Sequence, residues 1–142
     1  MNFEFDEALS KVWGTGKGLV VEGLSLSDNQ SIAKSKAIDT YGKATEHNGK
    51  ADAMRHIIFS ALATQDYTDV GAKTMSWLHE NVSLGSFNQP DVEQAMDTTN
   101  DAIGREIGKK AKSKEEIFKM AKEAIDSGKA KVIGNTTEGP YY

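Results

Sequence analysis

The stretch Lys50-Ala51-Asp52-Ala53-Met54-Arg55-His56-Ile57-Ile58-Phe59-Ser60-Ala61-Leu62-Ala63-Thr64-Gln65 decides the fold. Between positions 51 and 63 every side chain except Asp52, Arg55, His56 and Ser60 is apolar. A run this long and apolar nearly all round predicts a helix that its neighbours bury on most sides. The rest of the chain is read as what packs around it.

On the N-terminal side, Glu46-His47-Asn48-Gly49 punctuates the chain. Before it, Ala33, Ala37, Tyr41 and Ala44 recur every three to four residues, which predicts a helix from about position 31. Ser25 to Asn29 reads as a polar loop rich in N-cap residues, and Leu19-Val20-Val21 as a short β-prone run. Trp13 to Gly18 carries three alternating glycines and reads as a turn. A phosphate-cradling loop would need four residues between Gly and Gly-Lys-Ser/Thr, and here Lys17 is followed by Gly18. Residues 3–12 fit a short helix anchored by Phe3, Phe5, Leu9 and Val12.

On the C-terminal side, Met75, Leu78 and Val82 mark the inner face of a helix over about 70–81. Residues 83–90 read as a loop, and Asp91 caps a helix over 92–110. Ser113 and Glu116 form a capping box for a last helix over 113–126, which Gly128 closes. Residues 131–133 read as extended and 136–142 as a tail. The expected fold is therefore all-α. It is a single domain over 1–142 with about five helices, short β elements near 19–21 and 131–133, and a motif-bearing core over 48–108.

Composition narrows the function classes. At 142 residues the chain has the size of one domain, able to hide roughly 70% of its unfolded surface. It has no cysteine, which excludes disulfides, thiolate nucleophiles and Cys-based zinc sites. Seventeen basic and 21 acidic residues give a formal charge of −4, with no strong nucleic-acid signature. The densest basic stretch, Lys109 to Lys114, is followed by Glu115 and Glu116 and reads as a solvated helix end. The first ten residues lack the pattern of a secretory signal peptide, and no apolar run approaches the ~20 residues of a transmembrane segment. The expected location at synthesis is the cytoplasm.

The polar residues of interest converge. Asp52 and His56 sit four apart, on one face of the most apolar helix. Burying a carboxylate or an imidazole costs several kcal/mol unless partners satisfy it, so three ionisable groups on this helix need a reason. His79 aligns with Met75, Leu78 and Val82, and Glu80 borders that face. On the fourth helix Asp97, Asn100, Asp101, Gly104, Arg105 and Gly108 follow the i, i+3, i+4 pattern. The two glycines would let a backbone or a ligand come close.

Three readings of this centre are open. In one, Arg55 and Arg105 pair with Asp52, Asp97 or Asp101 as a structural network. In the second, His56, His79 and Asp97 hold a divalent metal such as zinc, manganese or iron. In the third, the groups carry out acid–base chemistry without a metal. His47, in a loop, is free to line a pocket mouth.

The stretch Asn48-Gly49-Lys50-Ala51-Asp52-Ala53-Met54-Arg55-His56, then His79-Glu80, then Met96-Asp97-Thr98-Thr99-Asn100-Asp101-Ala102-Ile103-Gly104-Arg105 carries a resemblance. Together these resemble a family of small, poorly characterised bacterial and phage domains with the pattern N-G-x-x-D-A-x-R-H, H-E, M-D-x-x-N-[ND]-x-x-G-R. They also look similar to the C-terminal tips of some secreted polymorphic toxins. The resemblance implies a helical domain, an enzymatic, hydrolytic activity, and a host or immunity-type protein partner. The chain has Met54 where an aromatic is frequent and Asp101 where Asn is frequent.

The expected function is a small hydrolase-like, toxin- or lysis-type enzyme acting on a cellular polymer or envelope component. Asp52, His56, His79, Glu80 and Asp101 are its candidate catalytic groups, with Asp97 orienting them. Arg55, Arg105, His47 and Asn100 are candidate substrate-binding groups. The rival is a non-enzymatic phage or bacterial binding or inhibitor protein, in which the polar stripe only organises the fold. An enzyme should open the centre to a cleft, and a structural network should close it to water.

Overall fold

The length of the apolar run around Ile57 and Ile58 makes one helix the axle of the molecule. The computed structural model describes residues 17–82 and 91–134, with side chains over 28–67 and 91–134. Helix α1 spans Lys17–Tyr41, α2 Lys50–Val82, α3 Asp91–Lys110 and α4 Lys114–Asp126, with a 3₁₀ turn at Lys43–Thr45. The domain is mainly helical, as expected. The helix anticipated over 3–12, the loop 83–90 and the tail from 136 lie outside the described residues.

Ala51, Ala53, Met54, Ile57, Ile58, Ala61 and Leu62 of α2 are buried. Around them pack Ala33 and Ala37 of α1, Met96, Ile103 and Ile107 of α3, and Ile117, Ala121 and Ile125 of α4. Small residues on α1 and α4 let those helices lie close to the larger aliphatics of α2. α1 runs antiparallel to α2: Lys50 lies over the Tyr41 ring at one end, and Asn29 Nδ2 donates to Asp66 Oδ2 (2.7 Å) at the other. α4 begins as the capping box predicts, with the Ser113 hydroxyl accepting from the Glu116 amide (3.1 Å). It ends at Gly128, whose φ of +78° is open to glycine at little cost.

α3 lies parallel to the first half of α2. Asn48 meets Glu93, His56 meets Asp97 and Asp101, and Gln65 Nε2 donates to the Ala111 carbonyl (2.9 Å).

Several local expectations are corrected. The β-prone run 19–21 and the polar stretch 25–29 both lie within α1. Three β-branched or aliphatic residues cannot form a strand without a partner, and Asn29 ties α1 to Asp66 of α2 instead of capping a helix. The helices expected over 50–65 and 70–81 are one, because residues 66–69 hold neither Gly nor Pro to stop the first. Residues 131–133 form no strand. Their backbone is paired by side chains and by the Asn48 carbonyl, not by a second strand. Four α-helices stand among the described residues where about five were expected for the whole chain.

Candidate functional site

The polar centre is built where α3 crosses the start of α2, and the approach of the two backbones makes it possible. A Cβ placed on Gly104 would fall 2.4 Å from the Ile57 carbonyl oxygen, and one on Gly108 would fall 2.5 Å from that of Ala61. Of the two roles the sequence allowed these glycines, the structure shows close backbone approach. One and two turns earlier on α3, this contact brings Asp101 and Asp97 against His56.

His56 faces a carboxylate from each ring nitrogen. Nδ1 is 3.2 Å from Asp101 Oδ1, and Nε2 is 3.2 Å from Asp97 Oδ1. The same Asp101 oxygen accepts from the Ser60 hydroxyl (3.0 Å), one turn further along α2. Arg55 Nη2 donates to Asp52 Oδ1 at 2.5 Å and lies 3.2 Å from His56 Nε2. Asp52 Oδ2 accepts from the Asn48 amide (2.7 Å). Asp52, His56, Asp97 and Asp101 are 4, 7, 8 and 4% exposed, whereas the Arg55 side chain is 38% exposed and is where the group meets solvent.

Electrostatics favour the charged imidazole. Burial disfavours the imidazolium, but the hydrogen bond to Asp101 and the charges of Asp101 and Asp97 outweigh it, and the pKa of His56 is raised. Arg55 opposes this shift. Nε2 thus stands between two competing neighbours. With its proton it stands at ion-pair distance from Asp97, and without it the nitrogen accepts from Arg55.

The remaining candidates fall in different places. His47 is exposed at the rim, 3.9 Å from Glu93 Oε1. Asn100 is fully buried, and both ends of its amide are engaged: Nδ2 donates to the Lys131 carbonyl (2.8 Å) and Oδ1 accepts from the Lys131 amide (2.9 Å). It holds the segment after α4 and is closed to a substrate. Arg105 is half-buried and, like Asp97 and Asp101, takes part in further polar interactions. The side chains of His79 and Glu80 lie outside the described residues.

Among the described residues no three His, Asp or Glu side chains are gathered so as to hold a metal ion. The set expected from the sequence, His56, His79 and Asp97, includes a side chain outside the described residues, and around His56 itself a carboxylate faces each ring nitrogen.

Three residues join the centre that the sequence had not singled out. Ser60 fixes Asp101, Asn48 fixes Asp52, and the buried Glu93 accepts from Asn48 Nδ2 at 2.6 Å. Asn48 stood within the motif itself. Ser60 was visible as one of four polar positions on an apolar helix. Glu93 carried no such signal, because an acidic residue in a first helical turn ordinarily faces water.

No helix among the described residues is long and apolar enough to cross a membrane. No curated protein and no solved structure matches the chain. A family model covers residues 20–129, the whole of the polar centre included. The chain belongs to that family, a domain of unknown function designated DUF6973.

Proposed function

We propose that the centre is the proton-handling unit of a small hydrolase-like enzyme acting on a cellular polymer or envelope component. The observation that carries this reading is the setting of His56. Asp101, itself held by Ser60, fixes the ring from Nδ1, and leaves Nε2 between Asp97 and Arg55 at 3.2 Å from each. A carboxylate behind an imidazole orients it and stabilises its charged form, which suits His56 to give a proton to a leaving group from Nε2. Arg55 is the way in. It covers Nε2, it reaches solvent, and its buried Nε has no hydrogen-bond partner among the described residues.

Energetics support a use beyond holding the fold. Replacing buried ion pairs by well-packed apolar residues is often neutral or stabilising by about 1–4 kcal/mol. Three buried carboxylates around one imidazole are thus a poor choice for stability alone, and such groups concentrate at functional sites. His79 and Glu80 belong to this reading on the strength of their motif.

The rival reading, a binding or inhibitor protein with a structural network, is favoured by one observation: Asp52, His56, Asp97 and Asp101 are closed to water. One pair of proteins separates the two. Wild type and His56→Gln are assayed for release of soluble fragments from purified envelope polymers, and their thermal midpoints are compared. The enzyme reading expects turnover in wild type and a loss of roughly 10²–10⁴ in the variant. Turnover unchanged by the substitution, or a destabilised variant of a protein with no turnover at all, supports the rival.

A further inference from the structure

Asn48 occupies a joint between the acid–base centre and the segment that follows α4. Its φ is +59°, the only positive value at a non-glycine residue among those described. That left-handed turn aims its two backbone groups in different directions. The amide donates to Asp52 Oδ2 (2.7 Å), and the carbonyl accepts from the amides of Ile133 (3.1 Å) and Gly134 (3.3 Å). The side chain reaches a third element, with Nδ2 donating to Glu93 Oε1 at the start of α3.

The segment 130–134 is held from its other side as well. Asn100 of α3 pairs with both backbone groups of Lys131, and the Ala130 amide donates to the Ala124 carbonyl (2.8 Å). Val132 and Ile133 pack partly buried against the core. The segment is a strap, fastened by the side chain of one motif asparagine and by the backbone of the other.

Asp52 connects this strap to the proton. Its Oδ2 is held by Asn48, and its Oδ1 is the acceptor for the Arg55 nitrogen that lies against His56 Nε2. Among the described residues the charged groups facing His56 are Asp52 and Arg55 from α2 and Asp97 and Asp101 from α3. Of these four, Asp52 is held by Asn48 directly and Arg55 through Asp52. We infer that Asn48 is a positioning residue, whose left-handed backbone couples the strap 130–134, through Asp52 and Arg55, to the proton on His56 Nε2.

The consequence for turnover rests on the acid–base reading proposed above, but the test needs no substrate. Left-handed geometry is open to Gly, disfavoured for Ala, and a genuine outlier for a β-branched residue. The pH at which His56 half-titrates is measured by NMR, alongside the thermal midpoint, in wild type, Asn48→Gly, Asn48→Ala and Asn48→Val. Asn48→Gly keeps the turn and loses only the side-chain contacts with Glu93 and His47, so its His56 titration stays within about 0.2 pH units of wild type. In Asn48→Val it moves by about half a unit or more, and Asn48→Ala falls between. If Asn48→Val does not fold, the Gly and Ala pair decides. Equal shifts in the Gly and Ala variants, or no shift in either while the midpoint falls, overturn the inference. Failure of the hydrolase reading appears separately, as envelope-polymer turnover unaffected by His56→Gln.

Discussion

Gly104 packs so tightly on Ile57 that the Ile57 carbonyl oxygen stands 2.4 Å from where a Cβ would be. The neighbour is backbone, which cannot step aside as a flexible side chain would. Gly104→Ala gains roughly 1 kcal/mol of helix propensity but must push α3 away from α2. Overpacking of this kind costs typically 1–3 kcal/mol, occasionally more. Because His56 meets α3 one turn away, the shift also lengthens its contacts with Asp97 and Asp101. The expected outcome is a net loss of up to about 2 kcal/mol by urea denaturation, with a displaced His56 ring resonance. A Gly104→Ala protein as stable as wild type and with its His56 resonance unmoved would show that the helices are not held in this register.

Asn100 makes a different kind of contact, a side-chain amide in the place of a neighbouring strand. Asn100→Leu keeps most of the volume but strips both partners from Lys131. Two unmade hydrogen bonds of this type cost about 1–3 kcal/mol, and the loss should be local to the strap. Hydrogen exchange at the Lys131 amide should accelerate at least tenfold, while amides in the middle of α2 change only in step with global stability. Unchanged protection at Lys131 would mean that the strap is fastened elsewhere.

His56 makes stability depend on pH with a definite sign. Its folded pKa is raised, so its contribution is complete below the unfolded value near 6.5 and is lost as pH climbs through the folded value. The stability advantage of wild type over His56→Gln should therefore be largest in mildly acidic solution and shrink through neutrality into alkaline pH. Denaturation of both proteins at intervals from pH 5.5 to 9 reads this directly. An advantage that grows with pH would reverse the assignment of charge.

Much of this was legible in the sequence, and the limits have physical reasons. The central helix declared itself because thirteen nearly apolar positions admit few alternatives. Asp52, His56, Asp97 and Asp101 were found because ionisable groups on apolar helices are costly enough to stand out. Gly104 and Gly108 were recognised as points of approach, though not what approaches. Asn100 was read as facing a substrate, and the structure turns it to the strap, because helical spacing gives a face but not the element that covers it. Asn48 and Glu93 were missed as partners for a related reason. Their meeting spans 45 positions and follows from a register that only the packed helices define. The polar stretch 25–29, inside α1, failed as a loop because Ser, Asp and Asn lose their preference for turns when a neighbouring helix offers a partner, as Asp66 does for Asn29.

The last prediction separates charge from hydrogen bonding at Asp101. Its Oδ1 accepts from both His56 Nδ1 and the Ser60 hydroxyl. Asp101→Asn keeps an acceptor oxygen and nearly the same shape, but removes the negative charge that helps hold the imidazolium. Ser60→Ala keeps the charge and removes only one donor. If the carboxylate sets the proton on His56, Asp101→Asn lowers the half-titration pH of the ring clearly. Ser60→Ala then leaves it within a few tenths of a unit, at a stability cost of about 1 kcal/mol. On the hydrolase reading, turnover follows the titration and not the stability, falling by roughly 10²–10⁴ in Asp101→Asn and far less in Ser60→Ala. Matched losses in the two variants would instead assign Asp101 to the packing of α3 on α2, with His56 as its passive partner.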